Sequence, residues 1–356
     1  AMFGPHREKF LDKMLQEIQE LEEHGTWDVI KKSDIQPIVL PDGTLETPEI
    51  IPSTWAFKIK RLPSGIIDKF KARFCVRGDL QKKSEKSKER TEASSQPSDV
   101  FETYAPVASW SSIRMLTITA MHHRWKTKQI DFSNAFVQAD LHRPVYISLP
   151  PSFGDSSGID TSELCLKLKK SLYGMCDAPK LWADFLAGAL ECAGFKATTE
   201  DEAVFLGRGM AIVVYVDDLL FFGPDESEME KIITELQTDG FKLKREKNGD
   251  DDAYNFLGIH IEESHDTIKM TQHGLIKKFL KTVKMENCNA KDTPCTTVPL
   301  GTDASGARHD SSEWEYASAV GMLMYLASNA HPEIQFAVHQ CARFTHAPRH
   351  THAQAV

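Results

Sequence analysis

Ala211-Ile212-Val213-Val214-Tyr215-Val216-Asp217-Asp218-Leu219-Leu220-Phe221-Phe222-Gly223 decides how this chain is read. Two apolar runs of strand length flank two adjacent acids, so the acids must fall in a tight turn between buried, paired strands. Such a turn is costly. Like charges side by side in a partly desolvated place raise a pKa or demand a compensating cation, and hard carboxylate oxygens suit Mg²⁺. Taken alone, Asp217 and Asp218 also fit an ordinary hairpin turn, where Asp is common.

The next acid upstream is in Gln129-Ile130-Asp131-Phe132-Ser133-Asn134-Ala135-Phe136, where Asp131 ends a short strand. By itself Asp131 reads as a turn residue or N-cap. If its strand pairs centrally with the hairpin, Asp131 and Asp217 project to the same edge. They can then bridge two cations about 3.5–4 Å apart, with Asp218 a weaker ligand, the arrangement used for phosphoryl transfer. Around these acids the pattern from Gln129 to Lys244 runs strand, helix, strand hairpin, helix, strand. That order predicts an α+β sheet with helices on one face. Apolar residues at helical spacing predict helices at Leu11–Ile18, Met229–Leu236 and Val320–Ala327, and another from Pro179 to Gly194. Further strands are expected at Val145–Leu149, Leu164–Leu168, Ala203–Leu206, Tyr254–Ile261 and Thr267–Met270.

Composition excludes several classes. With 41% hydrophobic and 26% charged residues over 356 positions, the chain is globular rather than fibrous or disordered. No run approaches the roughly 20 apolar residues of a membrane span, and a soluble intracellular protein is expected. The seven cysteines show no CxxC and no zinc spacing, which fits reduced thiols.

The net charge of −9 argues against nucleic acid, but the average conceals its distribution. Lys58 to Arg90 holds twelve basic and four acidic residues, a local +8 that leaves −17 for the rest. Two β-runs, Trp55–Lys60 and Lys69–Val76, joined by Leu62-Pro63-Ser64-Gly65, place Lys69, Lys71 and Arg73 in alternation. One face of this hairpin should therefore be a positive stripe suited to phosphate. Residues 82–97, rich in Lys, Glu and Ser, read as a mobile loop.

Several pieces then match a known family in order along the chain. Tyr215-Val216-Asp217-Asp218 resembles the YxDD turn of reverse transcriptases. The copia class of long-terminal-repeat retrotransposons is resembled by Phe57-Lys58-Ile59-Lys60, Phe70-Lys71-Ala72-Arg73, Glu102-Thr103-Tyr104-Ala105-Pro106-Val107, Ser171-Leu172-Tyr173-Gly174, Ala178-Pro179, Phe256-Leu257-Gly258-Ile259 and Pro332-Glu333-Ile334. The resemblance implies an RNA- and DNA-templated DNA polymerase with a right-hand α+β fold. Residues 1–128 would be fingers, 129–270 a palm with an insertion near 150–180, and 271–356 a thumb and the start of a connection. It implies Asp131, Asp217 and Asp218 as catalytic and metal ligands, with two Mg²⁺ ions, or Mn²⁺, as cofactors. Lys58, Lys60, Lys71 and Arg73 become candidates for the triphosphate, and Tyr173, Gly174 and Tyr215 for the nucleotide pocket. Phe136 would be an aromatic gate against a 2′-hydroxyl, or else a core residue. Phe256, Leu257 and Gly258 would grip the primer end, and Lys242 or Lys244 would protonate pyrophosphate unless both are plain surface lysines.

Implied partners are an RNA template, a DNA primer or RNA/DNA hybrid, deoxynucleotides, and the integrase and ribonuclease H of a Gag-Pol polyprotein. The implied location is cytoplasmic virus-like particles, with no membrane involved and no ribonuclease H domain in this chain. One departure stands out: Met175-Cys176-Asp177 replaces the family's usual Lys-Gln, so contacts through those side chains do not carry over. A catalytically silent scaffold that holds nucleic acid is the alternative, and a palm-type nucleotidyl cyclase a more distant one; all three acids being present favours the polymerase.

Overall fold

The computed structural model describes residues 4–39, 43, 45–61, 67–81, 103–150, 161–245, 253–264, 267–295, 299–303 and 306–356. The expected turn Leu62-Pro63-Ser64-Gly65, the loop 82–97, Glu102 and residues 151–160 of the expected insertion lie outside the described residues. The chain divides into two compact units, Ala1–Leu62 with Ile67–Glu246, and Pro63–Ile66 with Lys247–Val356.

In chain order the first unit holds α1 (Arg7–Glu23), β1 (Trp27–Lys31), β2 (Ile38–Val39), β3 (Leu45–Glu46), β4 (Ile50–Ile51), β5 (Ser53–Arg61) and β6 (Ile67–Val76). It continues with α2 (Trp110–His123), β7 (Lys126–Phe132), β8 (Asp140–Ile147), β9 (Leu164–Lys170) and α3 (Ala178–Cys192). It ends with β10 (Lys196–Ala197), β11 (Val204–Gly207), β12 (Met210–Tyr215), β13 (Asp218–Gly223), α4 (Glu226–Thr238) and β14 (Leu243–Arg245). The fold is α+β, as expected.

Its centre is a six-stranded sheet in the order β10-β11-β12-β13-β7-β14. Alternation along the strands sends Ile130, Phe132, Ile212, Val214, Leu219 and Phe221 to one face, where α3 and α4 cover them with Trp182, Leu186, Met229, Ile232 and Leu236. Asp225 caps α4 by accepting from the Ser227 amide at 2.8 Å, and Pro179 opens α3 at a first-turn position. The sequence predicts helices on one face only. The opposite face is closed as well: Val213, Leu220 and Phe222 are fully buried there, and α2 packs against β13. Period-2 alternation is invisible in a strand that is apolar on both sides, which is why the second cover escaped the pattern.

A second core joins the sheet β1-β9-β8-β4 to the hairpin β5–β6 through Trp27, Phe74, Val76, Val145, Leu166 and Leu172. The apolar face of the hairpin lies on α1, where Phe10 meets Phe57 and Phe70 edge-on at 5.0 and 5.1 Å. Close backbone approach locks this core to the turn after β9. A Cβ on Gly78 would stand 2.0 Å from the Gly174 carbonyl oxygen, and one on Gly174 would stand 2.2 Å from that of Val76.

The second unit begins with the antiparallel sheet β15 (Ala253–Phe256), β16 (Ile259–Glu263) and β17 (Ile268–Thr271). The single strand expected over Tyr254–Ile261 is thus a hairpin. Leu257 and Gly258 form its two-residue turn at φ +52° and +79°, the positive dihedrals that match strand twist. Helices α5 (His273–Thr282), α6 (Tyr316–Asn329), α7 (Gln335–Ala342) and α8 (His350–Ala355) follow. The Tyr325 hydroxyl on α6 donates to the Leu257 carbonyl at 2.7 Å and secures the turn. Among the described residues no helix is long and apolar enough to cross a membrane.

Gly78→Ala is expected to lower stability by about 1–3 kcal/mol through overpacking. Gly188→Ala, exposed in α3 with nothing within 4 Å of its new Cβ, is the control and should raise it by roughly 0.5–1 kcal/mol. Urea midpoints of the two variants against the parent check both.

Candidate active site

Strand register assembles the acids. Asp218 pairs with Tyr215 across the hairpin and with Asp131 on β7, and Asp131 pairs in turn with Lys244 on β14. Residues directly opposite in a ladder share a face, so Tyr215, Asp218, Asp131 and Lys244 make one row across four strands. Asp217 occupies the turn itself. Its carbonyl accepts the Phe132 amide at 2.8 Å, which ties the turn to the end of β7. Val216 beside it takes φ +55°, and its carbonyl accepts the Trp182 indole N–H at 2.8 Å.

Electrostatics match this crowding. Burial pushes the Asp217 carboxyl up to about 6; the charges of Asp131 and Asp218 push the same way, against Arg73 and Lys71. Burial also raises Asp131, opposed by Lys244, Lys71, Lys60 and Lys69. Asp218 is raised by burial and by Asp131, while the Gln129 amide, 3.4 Å from its Oδ1, pulls it down. Asp217 Oδ1 is buried with no hydrogen-bond partner. A buried acceptor left unpaired beside two further carboxylates is a donor set short of a cation.

The three acids fit a divalent ion in chemistry, since all are oxygen donors. Among the described residues no three His, Cys, Asp or Glu side chains are gathered into a finished cage. Asp218 turns toward Gln129, so register brings the acids together while rotamers leave them unclosed.

The hairpin β5–β6 supplies the positive charge. Lys58 stands opposite Lys71 and Lys60 opposite Lys69, while Arg73 is opposite Ala56, so these cations share one face. Five like charges at such spacing repel. Lys71 is lowered by burial and then by Lys60, Arg73 and Lys69, with Asp131 pulling it back up. Arg73 lies over the Tyr173 ring, its guanidinium carbon 4.4 Å from the centroid. Tyr173 is buried and meets half-buried Phe136 edge-on at 5.1 Å, while its carbonyl accepts the Val76 amide at 2.8 Å. Phe136 sits in the 3₁₀ turn Ala135–Gln138 and touches both cores of the unit. Gly174, at φ +88°, makes the exposed bend.

The departure at 175–177 has a structural counterpart. The Asp177 side chain is buried and accepts from Arg143 on β8 at 2.7 Å, leaving its second oxygen unpartnered. The Cys176 thiol donates to the Gly78 carbonyl at 3.1 Å. Phe256, Leu257 and Gly258 belong to the second unit, in the turn held by Tyr325. Lys242 and Lys244 are both exposed, yet Lys244 is the strongest cationic influence on Asp131. Sequence reasoning passed over Trp182, Gln129 and Arg143. Each acts across at least 34 residues, and only Trp182 left a trace, as an indole in the first turns of a helix otherwise filled by Leu and Ala.

A sequence profile described as reverse transcriptase (RNA-dependent DNA polymerase) matches residues 43–297. The chain is 31% identical over 311 residues to the retrovirus-related Pol polyprotein from transposon RE1 of Arabidopsis thaliana, covering 86% of this chain and 20% of that protein. It is 26% identical to the corresponding polyprotein from transposon TNT 1-94 of Nicotiana tabacum, over 99% of this chain and 25% of that one. The transposon Ty1-DR5 Gag-Pol polyprotein of Saccharomyces cerevisiae is 28% identical over 83% of this chain and 14% of its own length. The chain therefore spans a quarter or less of these relatives. A solved foamy viral protease-reverse transcriptase in complex with double-stranded DNA aligns with a TM-score of 0.39 at 14% identity, over 95% of this chain and 48% of that one.

A carboxyl whose folded pKa is raised favours the fold below its unfolded value and loses that contribution as pH rises through the folded one. In metal-free protein Asp217→Asn should therefore raise Tm by about 2–5 °C at pH 7.5, a gain that fades as pH falls from about 6 toward 4. Thermal melts across that range measure it.

Proposed function

The chain belongs to the reverse transcriptase (RNA-dependent DNA polymerase) family, and from that membership we propose that its first unit adds deoxynucleotides to a primer 3′-hydroxyl on an RNA or DNA template. Its relatives are retrotransposon Pol polyproteins, in keeping with the copia-type resemblance of its motifs. The observation that carries the proposal is the pairing of Asp218 with Asp131 beside a buried, unpartnered Asp217 oxygen, within the influence of Lys71 and Arg73.

In this reading Asp131, Asp217 and Asp218 hold divalent ions, Mg²⁺ or Mn²⁺. When bound, these supply Lewis-acid activation of the primer hydroxyl and offset charge on the triphosphate. The protein's own groups position the reactants. Lys58, Lys60, Lys71 and Arg73 offer cations to the phosphates, and their mutual repulsion on one face is relieved by an anionic ligand. Tyr173 holds Arg73 by ring contact, and Gly174 lets the bend take a positive φ and lie directly against the Val76 backbone, where a side chain has no room. Phe136, braced edge-on by Tyr173, closes against a 2′-hydroxyl by steric clash, and Tyr215 continues the row of the acids toward the nucleotide. Lys244, opposite Asp131, is better placed than Lys242 to give a proton to departing pyrophosphate.

The first unit then holds the fingers, residues 1–128, and most of a palm over 129–270, whose last strands belong to the second unit. In the second, the turn Phe256-Leu257-Gly258 serves the primer end, and the helices after it act as a thumb leading into a connection. An RNA template, a DNA primer or hybrid, integrase and ribonuclease H of the same polyprotein, and cytoplasmic virus-like particles complete the reading as partners and place of action.

Asp217→Asn should abolish extension of a DNA primer on RNA while leaving primed-template binding within about twofold. Retained extension rejects the proposal, and a parent chain that binds but never extends points to a silent scaffold. Phe136→Ala should raise ribonucleotide incorporation by about 10-fold or more, measured as the ratio of kcat/KM for ribo- and deoxynucleotides.

A further inference from the structure

The turn bearing Asp217 is closed by the ladder pair Tyr215–Asp218, but its two central residues, Val216 and Asp217, lie outside that ladder. Val216, a β-branched residue, takes a left-handed φ of +55° that such residues avoid, and its side chain is 36% exposed, so packing does not secure it. Two hydrogen bonds to successive carbonyls do. The Asp217 carbonyl accepts from the Phe132 amide at 2.8 Å, and the Val216 carbonyl accepts from the Trp182 indole at 2.8 Å. Trp182 is 1% exposed and itself immobilised, edge-on to Phe132 at 5.0 Å and against Phe241 at 6.1 Å. A buried indole N–H needs an acceptor, and this one uses the carbonyl of the strained peptide.

We propose that Trp182 is a positioning residue for Asp217: its indole N–H, acting through the Val216 carbonyl, fixes the left-handed peptide that aims the Asp217 carboxylate. The inference rests on the reading of Asp217 given above. It also explains why the ring is tryptophan in a core that phenylalanine could fill, since Phe has no donor. Helix α3 begins just after the Tyr173–Gly174 bend, with Asp177 at its N-terminal boundary and Trp182 a little over one turn further on. A single rigid helix therefore links the bend beneath Arg73 to the turn of Asp217, and Trp182 is the residue through which it reaches that turn.

Trp182→Phe keeps the ring and removes the donor. The expected result is a fall in kcat for primer extension of about 10-fold or more, with dNTP KM and primed-template Kd within about twofold. In metal-free protein the Phe132 amide, which reports on the Asp217 carbonyl, should exchange its hydrogen about 10-fold faster, while Ile212 and Phe221 on the neighbouring strands keep their parental rates. An unchanged kcat, or an unchanged Phe132 exchange rate, overturns the proposal. So does acceleration shared by all three amides with kcat scaled only by the folded fraction, which marks the indole as core filling. Asp217→Asn is assayed alongside: if it still extends primers, the reading of the site fails, whereas the exchange pattern still decides whether Trp182 holds the turn.

Discussion

Everything in the first unit depends on one register, the antiparallel pairing of β13 with β7 that sets Asp218 opposite Asp131. A slip of one residue would send Leu219 and Ile130 to the face of the acids and drive the carboxylates into the α3–α4 core. The acids fix the register: in Leu219-Leu220-Phe221-Phe222 either apolar pair suits the face covered by α3 and α4, whereas only one register keeps Asp131 and Asp218 out of it. The stability of the core is thus spent on keeping two like charges side by side. That conflict is tolerable where a cation completes the site, and the buried, unpartnered oxygen of Asp217 is its visible sign.

The opposing charge comes from an element whose fold solves a similar problem. β5 and β6 put five cations on one face because their other face is aromatic and committed to α1. Desolvation and mutual repulsion both weaken the charge on Lys71, and Asp131 restores part of it. Acids and bases of the two elements therefore stabilise one another's ionised forms although no direct ion pair joins them among the described residues. Tyr173 and the close approach of Gly78 to Gly174 keep the two elements at a fixed spacing.

Much of this was legible in the sequence. The hairpin with acids at its turn, the strand carrying Asp131, the alternation of Lys69, Lys71 and Arg73, and the core face of α4 follow from periodicity of two or 3.6, whereas Leu15 on α1 and Met324 on α6, expected in the core, are exposed, and Phe10 and Leu21 take the buried places on α1. What escaped did so for physical reasons. Strands buried on both faces show no alternation, so the cover by α2 left no signature. Leu257 and Gly258 sit within an apolar run, and only their positive φ reveals the turn. Trp182 with Val216, and Gln129 with Asp218, join residues far apart in sequence through a single hydrogen bond, a relation that local pattern cannot encode. Lys244 reads as a surface lysine and is exposed, yet register sets it against Asp131.

The ion pair of buried Asp177 with half-exposed Arg143 makes one residue the condition for the other. An acid in a dry setting is tolerated while its guanidinium partner remains, and removing Arg143 alone leaves the Asp177 carboxylate poorly solvated. The dependence runs one way: Asp177 needs Arg143, while Arg143 keeps contact with water when the acid is gone.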